Sequence, residues 1–192
     1  MPSPSMDLET MRKRLLAILR EQSVRTGEFT LASGKTSNFY VDAKMTTLHP
    51  EGAHAVGRLI FERLRGRGFK AQGGLTMGAD PMAASISAVS HQEGEPIPAF
   101  IVRKAVKGHG TSKTVEGHLP GNAGPVAVIE DVTTTGGSAL KAVEAVRAAG
   151  GDVKLVVTLV DRQEGGAENL RKAGVEFEAI FTREEILEGD TA

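Results

Sequence analysis

AVIEDVTTTGGSAL, Ala127 to Leu140, is an apolar run that ends in two adjacent carboxylates, Glu130 and Asp131, and passes directly into a turn of hydroxyl and glycine residues. The residues before the acids read as a buried strand. Those after the turn, ALKAVEAVRAAG, have the spacing of a helix closed by Gly150-Gly151. Thr133 to Ser138 therefore lie between a strand's carboxyl end and a helix's amino end. The first turn of a helix has backbone N–H groups without internal partners, and the helix dipole is positive there, so the position favours a phosphate. Gly136 and Gly137 let the backbone approach closely, while Thr134, Thr135 and Ser138 add hydroxyl donors. Carboxylates beside a phosphate repel it unless they face something else, either ribose hydroxyls or a phosphate-bound magnesium ion. A sugar phosphate accounts for both halves of the stretch. The plain alternative, an acid pair that only caps a strand-to-helix turn, loses ground because TTTGGS follows it.

The same alternation extends in both directions. Strands are predicted near Gln72 to Thr76, Ala99 to Val102, Val126 to Ile129, Lys154 to Val160 and Val175 to Phe181. Helices are predicted over Pro50 to Arg65, after Asp80-Pro81, over Ala139 to Ala149 and over Ala167 to Ala173, with Asp80 as N-cap of the second. PAFIV, VAVI and LVVTLV are too uniformly apolar for strands with one wet face, so the expected class is α/β: a doubly wound, mostly parallel five-stranded sheet with helices on both faces. Ligands of such sheets bind beyond the carboxyl ends of the strands. Ahead of this pattern, Leu8, Met11, Leu15, Ile18 and Leu19 mark an amphipathic helix from Asp7 to about Gln22, and FTLASGKTSNFYVD reads as a hairpin around Ser33-Gly34-Lys35, apart from the main sheet. The expected organisation is one domain over 1–192, with a mobile tail (1–6), an N-terminal helix and hood (7–48) and a core (49–182).

Composition narrows the function. Twenty-three Lys plus Arg against 24 Asp plus Glu leave a formal net charge of −1, so no general basic field points to nucleic acid or an anionic membrane, and any anion site is built locally. With no cysteine, disulfides, thiolate metal sites and cysteine nucleophiles are excluded, and a cytoplasmic location is the natural reading. MPSPSMDLET has no apolar core of a signal peptide, and nowhere do 18 apolar residues run together. His49, His54, His91 and His118 lack paired metal-ligand spacing and read as surface or cap residues. There is no GxxxxGK[ST], and GRGFKA follows a helix and precedes a strand, the wrong order for a dinucleotide fingerprint. Tyr40, the one tyrosine, reads either as a base-stacking residue or as hairpin packing.

VIEDVTTTGGSA resembles the phosphoribosyl pyrophosphate (PRPP) signature of the type I phosphoribosyltransferases. FTLASGKTSNFYVD, RKAVKGHG and LVDRQEGG resemble, within that group, the orotate phosphoribosyltransferase family, in order from about Phe29 to Gly166. The resemblance implies the type I phosphoribosyltransferase fold with a hood and a flexible catalytic loop. It also implies transfer of phosphoribose from PRPP to orotate, Mg²⁺ carried mainly by PRPP with no protein metal ligands, and a homodimer whose loops complete one another's sites. Arg103, Lys104, Lys107 and His109 would then hold the pyrophosphate, with Lys107, His109 and Asp131 catalytic. Glu130 and Asp131 would face the ribose, and Val132, Thr133, Thr134, Thr135, Gly136, Gly137 and Ser138 its 5′-phosphate. Arg162, after the strand LVVTLVD, would join Thr134 in holding orotate, whose carboxylate a guanidinium grips with two parallel hydrogen bonds. The plain alternative for Arg162 is an ion pair with a neighbouring acid. Two positions depart from the family: many members carry Tyr-Lys where Met77-Gly78 stands, and Lys where Ala32 stands, with Ser33 or Lys35 nearby to compensate. The competing functions are transfer to a purine or another base and a non-catalytic PRPP-sensing regulator. The second would carry a basic face or an added DNA-binding segment.

Overall fold

The computed structural model describes residues 6–30, 36–104, 113–121 and 123–188. Strands and helices follow the order α1 (Leu8–Ser23), β1 (Val24–Thr30), β2 (Thr36–Val41), α2 (Lys44–Thr47), α3 (Pro50–Leu64), β3 (Ala71–Leu75), α4 (Asp80–Gln92), β4 (Ala99–Val102), β5 (Val115–Gly117), β6 (Pro125–Thr133), α5 (Gly137–Ala148), β7 (Asp152–Asp161), α6 (Gly166–Lys172), β8 (Glu176–Thr182) and α7 (Arg183–Leu187). The principal sheet has the order β5-β4-β3-β6-β7-β8. Its five parallel strands are those the apolar runs predict, and the short β5 adds an antiparallel edge beside β4. β1 and β2 form a separate antiparallel pair, as the hairpin pattern implies, with a register shift between Thr26 and Phe29.

Alternation along β6 explains the layers. Ala127 and Ile129 join a core cluster with residues of α1, α3 and α4, whereas Val126 and Val128 join a second cluster with residues of α5 and α6. Both faces of the central strand are thereby removed from water, which is why its sequence shows no polar alternation. Phe39 of β2 is buried in the first cluster, so the hairpin packs onto the same core as the sheet.

Local signals act where the sequence places them. Asp7 caps α1 by accepting from Thr10 N at 2.9 Å. His49 stands at the N-cap of α3, and Pro50 opens that helix. α5 ends with Gly150 at φ 88°, and Gly151 N donates to Val146 O at 2.8 Å, a Schellman closure. Several boundaries move: β6 runs from Pro125 to Thr133, so Glu130 and Asp131 lie within the strand, β7 runs from Asp152 to Asp161, and Ala79 is the N-cap of α4 with Asp80 its first residue. Asp80 accepts from the Thr76 hydroxyl at 2.7 Å instead of capping its own helix, which ties the loop after β3 to the helix start.

Ile129 is fully buried and immediately precedes Glu130. Ile129→Ala is expected to lower the unfolding free energy by about 2–5 kcal/mol, measured as a lower urea midpoint with unchanged slope. A loss below about 0.5 kcal/mol would mean that this strand is not the packed centre of the sheet.

Candidate functional site

Val126 to Glu130 are buried, and access to solvent returns at Asp131 and Val132, where β6 approaches its carboxyl end. The chain then turns through Thr134 to Gly136 into α5, with Gly136 at φ 82°, a left-handed conformation that glycine adopts without strain. Gly166 fixes the other side of this turn. A Cβ there would lie 2.4 Å from Thr133 Cγ2 and 2.7 Å from Thr134 O, so the glycine pair of DRQEGG exists in part to let the two segments touch. Asn169 Nδ2 also donates to Thr135 O at 3.0 Å.

A narrow recess of about 20 Å³ lies at the amino end of α5, walled by Thr133, Thr134, Gly136, Gly137 and Ser138 together with Glu130 and Val132. The Thr133 hydroxyl is buried and makes no hydrogen bond among the described residues. A second cavity of about 220 Å³ shares Glu130 and Ser138 with the recess. Its remaining walls come from Lys44 of α2, from Leu75 to Gly78 after β3, from Lys104 after β4, and from Asp131. The expected phosphate turn, the acid pair and one expected cation are therefore brought together around two adjoining spaces. The peptide between Thr76 and Met77, on the wall of the larger space, is cis.

Other expected residues lie off these walls. Thr135 is exposed and lines neither space. Arg103 places Nη1 3.5 Å from Glu116 Oε1 of β5, and its backbone N–H donates to Thr114 O at 2.9 Å. Lys107, His109, Ala32, Ser33 and Lys35 fall outside the described residues. Arg162 is buried at the end of β7, where its N–H donates to Thr133 O at 2.9 Å. Its guanidinium lies 5.8 Å from the centre of the Phe39 ring, and Nη2 is 2.8 Å from Glu164 Oε1. The strand-end ion pair is thus present, and the arginine is one strand over from the phosphate turn. Tyr40, on β2, is half exposed.

Sequence reasoning missed Lys44, a lone lysine in a four-residue helix with no motif around it. It also missed Glu164 as the acid that engages Arg162. DRQEG carries that signal, since an acid two residues beyond the arginine is within reach once the chain turns; Gln163 makes this turn at φ 57° with its N–H donating to Asp161 Oδ1 at 2.8 Å.

Glu130 is the electrostatic centre of the site. Burial, and then the neighbouring charge of Asp131, push its carboxyl up to about 8, against a partial lowering by Lys104. Near neutral pH it therefore holds a proton unless a cation or a hydrogen-bonding ligand arrives. No group of three or more metal-ligating side chains occurs among the described residues. A cation here would take one or two carboxylates and draw its other oxygen ligands from water or phosphate, a donor set that suits Mg²⁺.

A larger cavity, about 750 Å³, opens between α1, α3 and α4. Its cations are already engaged: Arg14 by Glu51 at 2.7 Å, and Arg58 by Glu62 at 2.9 Å and by Glu93. An anion arriving there would have to displace carboxylates, so the spaces at the end of β6 are the better site.

No protein-family model matches the chain. It is 49% identical over 177 residues to the orotate phosphoribosyltransferase of Nostoc sp., covering 92% of this chain and 85% of that protein. With the orotate phosphoribosyltransferase of a Bradyrhizobium sp. it shares 48% identity over 187 residues, 95% of this chain and all of the relative. Among solved structures, Mycobacterium tuberculosis orotate phosphoribosyltransferase in complex with PRPP superposes with a TM-score of 0.77 at 38% identity, over 92% of this chain and 98% of that one.

The raised Glu130 carboxyl makes stability depend on pH. The folded chain keeps this proton from about pH 4.5, where the unfolded chain releases it, up to about 8. Raising pH through that window favours the unfolded state. The Tm of the unliganded protein should accordingly fall between about pH 5 and 9, and Glu130→Gln, which has no charge to gain, should fall several degrees less. A gap between the two proteins that stays constant with pH would remove the argument from burial.

Proposed function

The chain belongs to the orotate phosphoribosyltransferase family, and on that premise we propose how its residues divide the work. The reaction transfers the phosphoribosyl group of PRPP to orotate, giving orotidine 5′-monophosphate and pyrophosphate in pyrimidine biosynthesis. The observation that carries the division of roles is the pair of adjoining spaces at the end of β6, one walled by hydroxyls and backbone at a helix amino end beside Glu130, the other by Glu130, Asp131 and two lysines.

In this reading the 5′-phosphate occupies the smaller recess, held by the first N–H groups of α5 and the hydroxyls of Thr133, Thr134 and Ser138. Glu130 and Asp131 take the ribose hydroxyls, and their charge steadies the positive ring that develops as the bond from the anomeric carbon to pyrophosphate breaks. The pyrophosphate lies in the larger cavity, with Arg103, Lys104, Lys107 and His109 as its expected cations. Mg²⁺ would be held mainly through the oxygens of PRPP, beside Glu130 and Asp131, and when bound would neutralise charge building on the leaving group. Orotate supplies the nucleophilic ring nitrogen. Its proton is easily lost beside cations, so positioning and charge stabilisation carry most of the catalysis.

Arg162 is the orotate-binding residue in this scheme. Glu164 then stands in for the orotate carboxylate, occupying part of the guanidinium fork until the substrate displaces it. We also propose a homodimer with shared sites. Met77 on the wall of the larger cavity, and Met45 and Leu48 at α2, are exposed apolar residues of the kind a second subunit covers. A cytoplasmic location suits the cysteine-free sequence. Among the described residues no helix is long and apolar enough to cross a membrane.

Following orotate absorbance with Mg²⁺ and PRPP tests these assignments. Arg162→Ala should lower kcat/KM for orotate about 100-fold or more, because a substrate carboxylate loses its charged partner. Glu164→Gln should lower the KM for orotate by up to about tenfold, since the amide competes less well for the guanidinium. Unchanged orotate kinetics in Arg162→Ala, or a raised KM in Glu164→Gln, would remove Arg162 from the base site.

A further inference from the structure

Pyrophosphate is strongly anionic, yet the cavity assigned to it is walled by two carboxylates. Among the described residues on its walls the cations are Lys104, which the sequence led us to expect, and Lys44, which it did not. The loop after β3 supplies none. Met77 is exposed and apolar, and Gly78 lies so close to Asp131 that a Cβ would fall 2.4 Å from Oδ2 and 2.6 Å from Oδ1. A side chain at 78 cannot project into the cavity while Asp131 keeps this position. Positive charge on this side must therefore come from another element, and α2 presents one.

Lys44 opens α2 directly after the hairpin and is held by one acid at its backbone and at the tip of its side chain. Its backbone N–H donates to Asp42 Oδ1 at 3.2 Å, and Nζ lies 2.6 Å from the same oxygen. Asp42 chiefly, with Asp131 adding to it, favours the charged ammonium. An ammonium has three donors, and the bond to Asp42 uses one, so the group is both pre-positioned and able to donate further. The side chain is 43% exposed, which keeps the cost of its desolvation small before a ligand arrives.

We infer that Lys44 is a further pyrophosphate-binding residue, donating from α2 to the leaving group alongside Lys104 and supplying the charge that Met77 and Gly78 do not. This rests on the reading of the larger cavity as the pyrophosphate site. The opposing possibility is that Lys44 only fastens the end of the hairpin through Asp42.

Calorimetric titration with inorganic pyrophosphate plus Mg²⁺, and separately with ribose 5-phosphate, distinguishes the two. Lys44→Met should weaken pyrophosphate binding about 10- to 100-fold, raise the KM for PRPP similarly and leave ribose 5-phosphate binding within about twofold of wild type. Lys44→Arg, which keeps the charge, should recover most of the affinity, and Asp42→Asn, which breaks the tether but leaves the ammonium, should lose far less than Lys44→Met. The inference is overturned if Lys44→Met binds pyrophosphate like wild type, if Asp42→Asn matches its loss, if both ligands weaken together, or if the wild-type protein consumes orotate yet takes up no pyrophosphate. Orotate turnover by wild type, assayed in parallel, keeps the outcomes separate: its absence would sink the division of roles proposed above, whereas its presence with unaltered pyrophosphate binding in Lys44→Met would sink only the role of Lys44.

Discussion

A parallel strand covered on both faces can offer polar chemistry only where it leaves the sheet, and β6 is such a strand. It pairs with β3 on one side and β7 on the other, and the core clusters on its two faces bury Val126 to Ile129 completely. The acid pair, the hydroxyl turn and the amino end of α5 are consequently concentrated at its carboxyl end. The pairing also brings the base-side residues into reach: Thr133 is opposite Asp161, and Thr133 O accepts from the N–H of Arg162. Slipping β7 by one residue would present Arg162 to the opposite face of the sheet, so the register of one pair of strands underlies both substrate sites.

The same burial that positions Glu130 makes it costly. A carboxyl pushed up to about 8 in a folded protein is disfavoured as an anion, and the neighbouring Asp131 adds to the penalty. The site thus has two electrostatic requirements that oppose each other: acids to face a ribose and a cation, and cations to face phosphates. The two meet on shared walls: the recess at α5 has hydroxyls and backbone beside Glu130, and the larger cavity sets Lys44 and Lys104 among Glu130 and Asp131. The loop after β3 brings no cation to this wall, and the approach of Gly78 to Asp131 leaves no room for a side chain at that position, so the positive residues come from α2 and from the segment after β4.

Much of this was readable in the chain. The five parallel strands follow from runs such as LVVTLV because complete burial removes polar alternation, and the phosphate turn follows from TTTGGS placed between a strand and a helix. Three brief elements were not readable: α2, β5 and α7 span four, three and five residues, too few to develop a period, and tertiary contacts decide them. α7 is held from outside, since Arg20 donates to Glu185 O and Ile186 O, and Arg12 pairs with Glu185 at 2.6 Å. Lys44 escaped for a related reason. A single lysine carries no pattern, and only the path of the hairpin brings it to the cavity wall. Arg162 was assigned to the right strand end, but its engagement by Glu164 depends on the left-handed turn at Gln163, a conformation that residue type alone does not announce.

Segments that look independent in the sequence are one packed unit in the fold. Gly166, of the arginine-bearing segment, touches Thr133 and Thr134 of the phosphate turn at distances no side chain would permit, and Asn169 holds the carbonyl of Thr135. From the same segment Gln163 Oε1 accepts from Glu184 N, while Arg183 donates to Asn38 of the hairpin and lies 5.5 Å from the Phe39 ring that also meets Arg162. Contacts therefore run from the phosphate turn through Gly166 to the segment that carries Arg162, and from there through two arginines to the hairpin. Two substrates that must meet within bonding distance require such coupling, because catalysis by positioning fails when either half of the site shifts by about an ångström. The glycines of EGG and GGS are thus as much part of the chemistry as the charged residues, since they set the distance between the two halves.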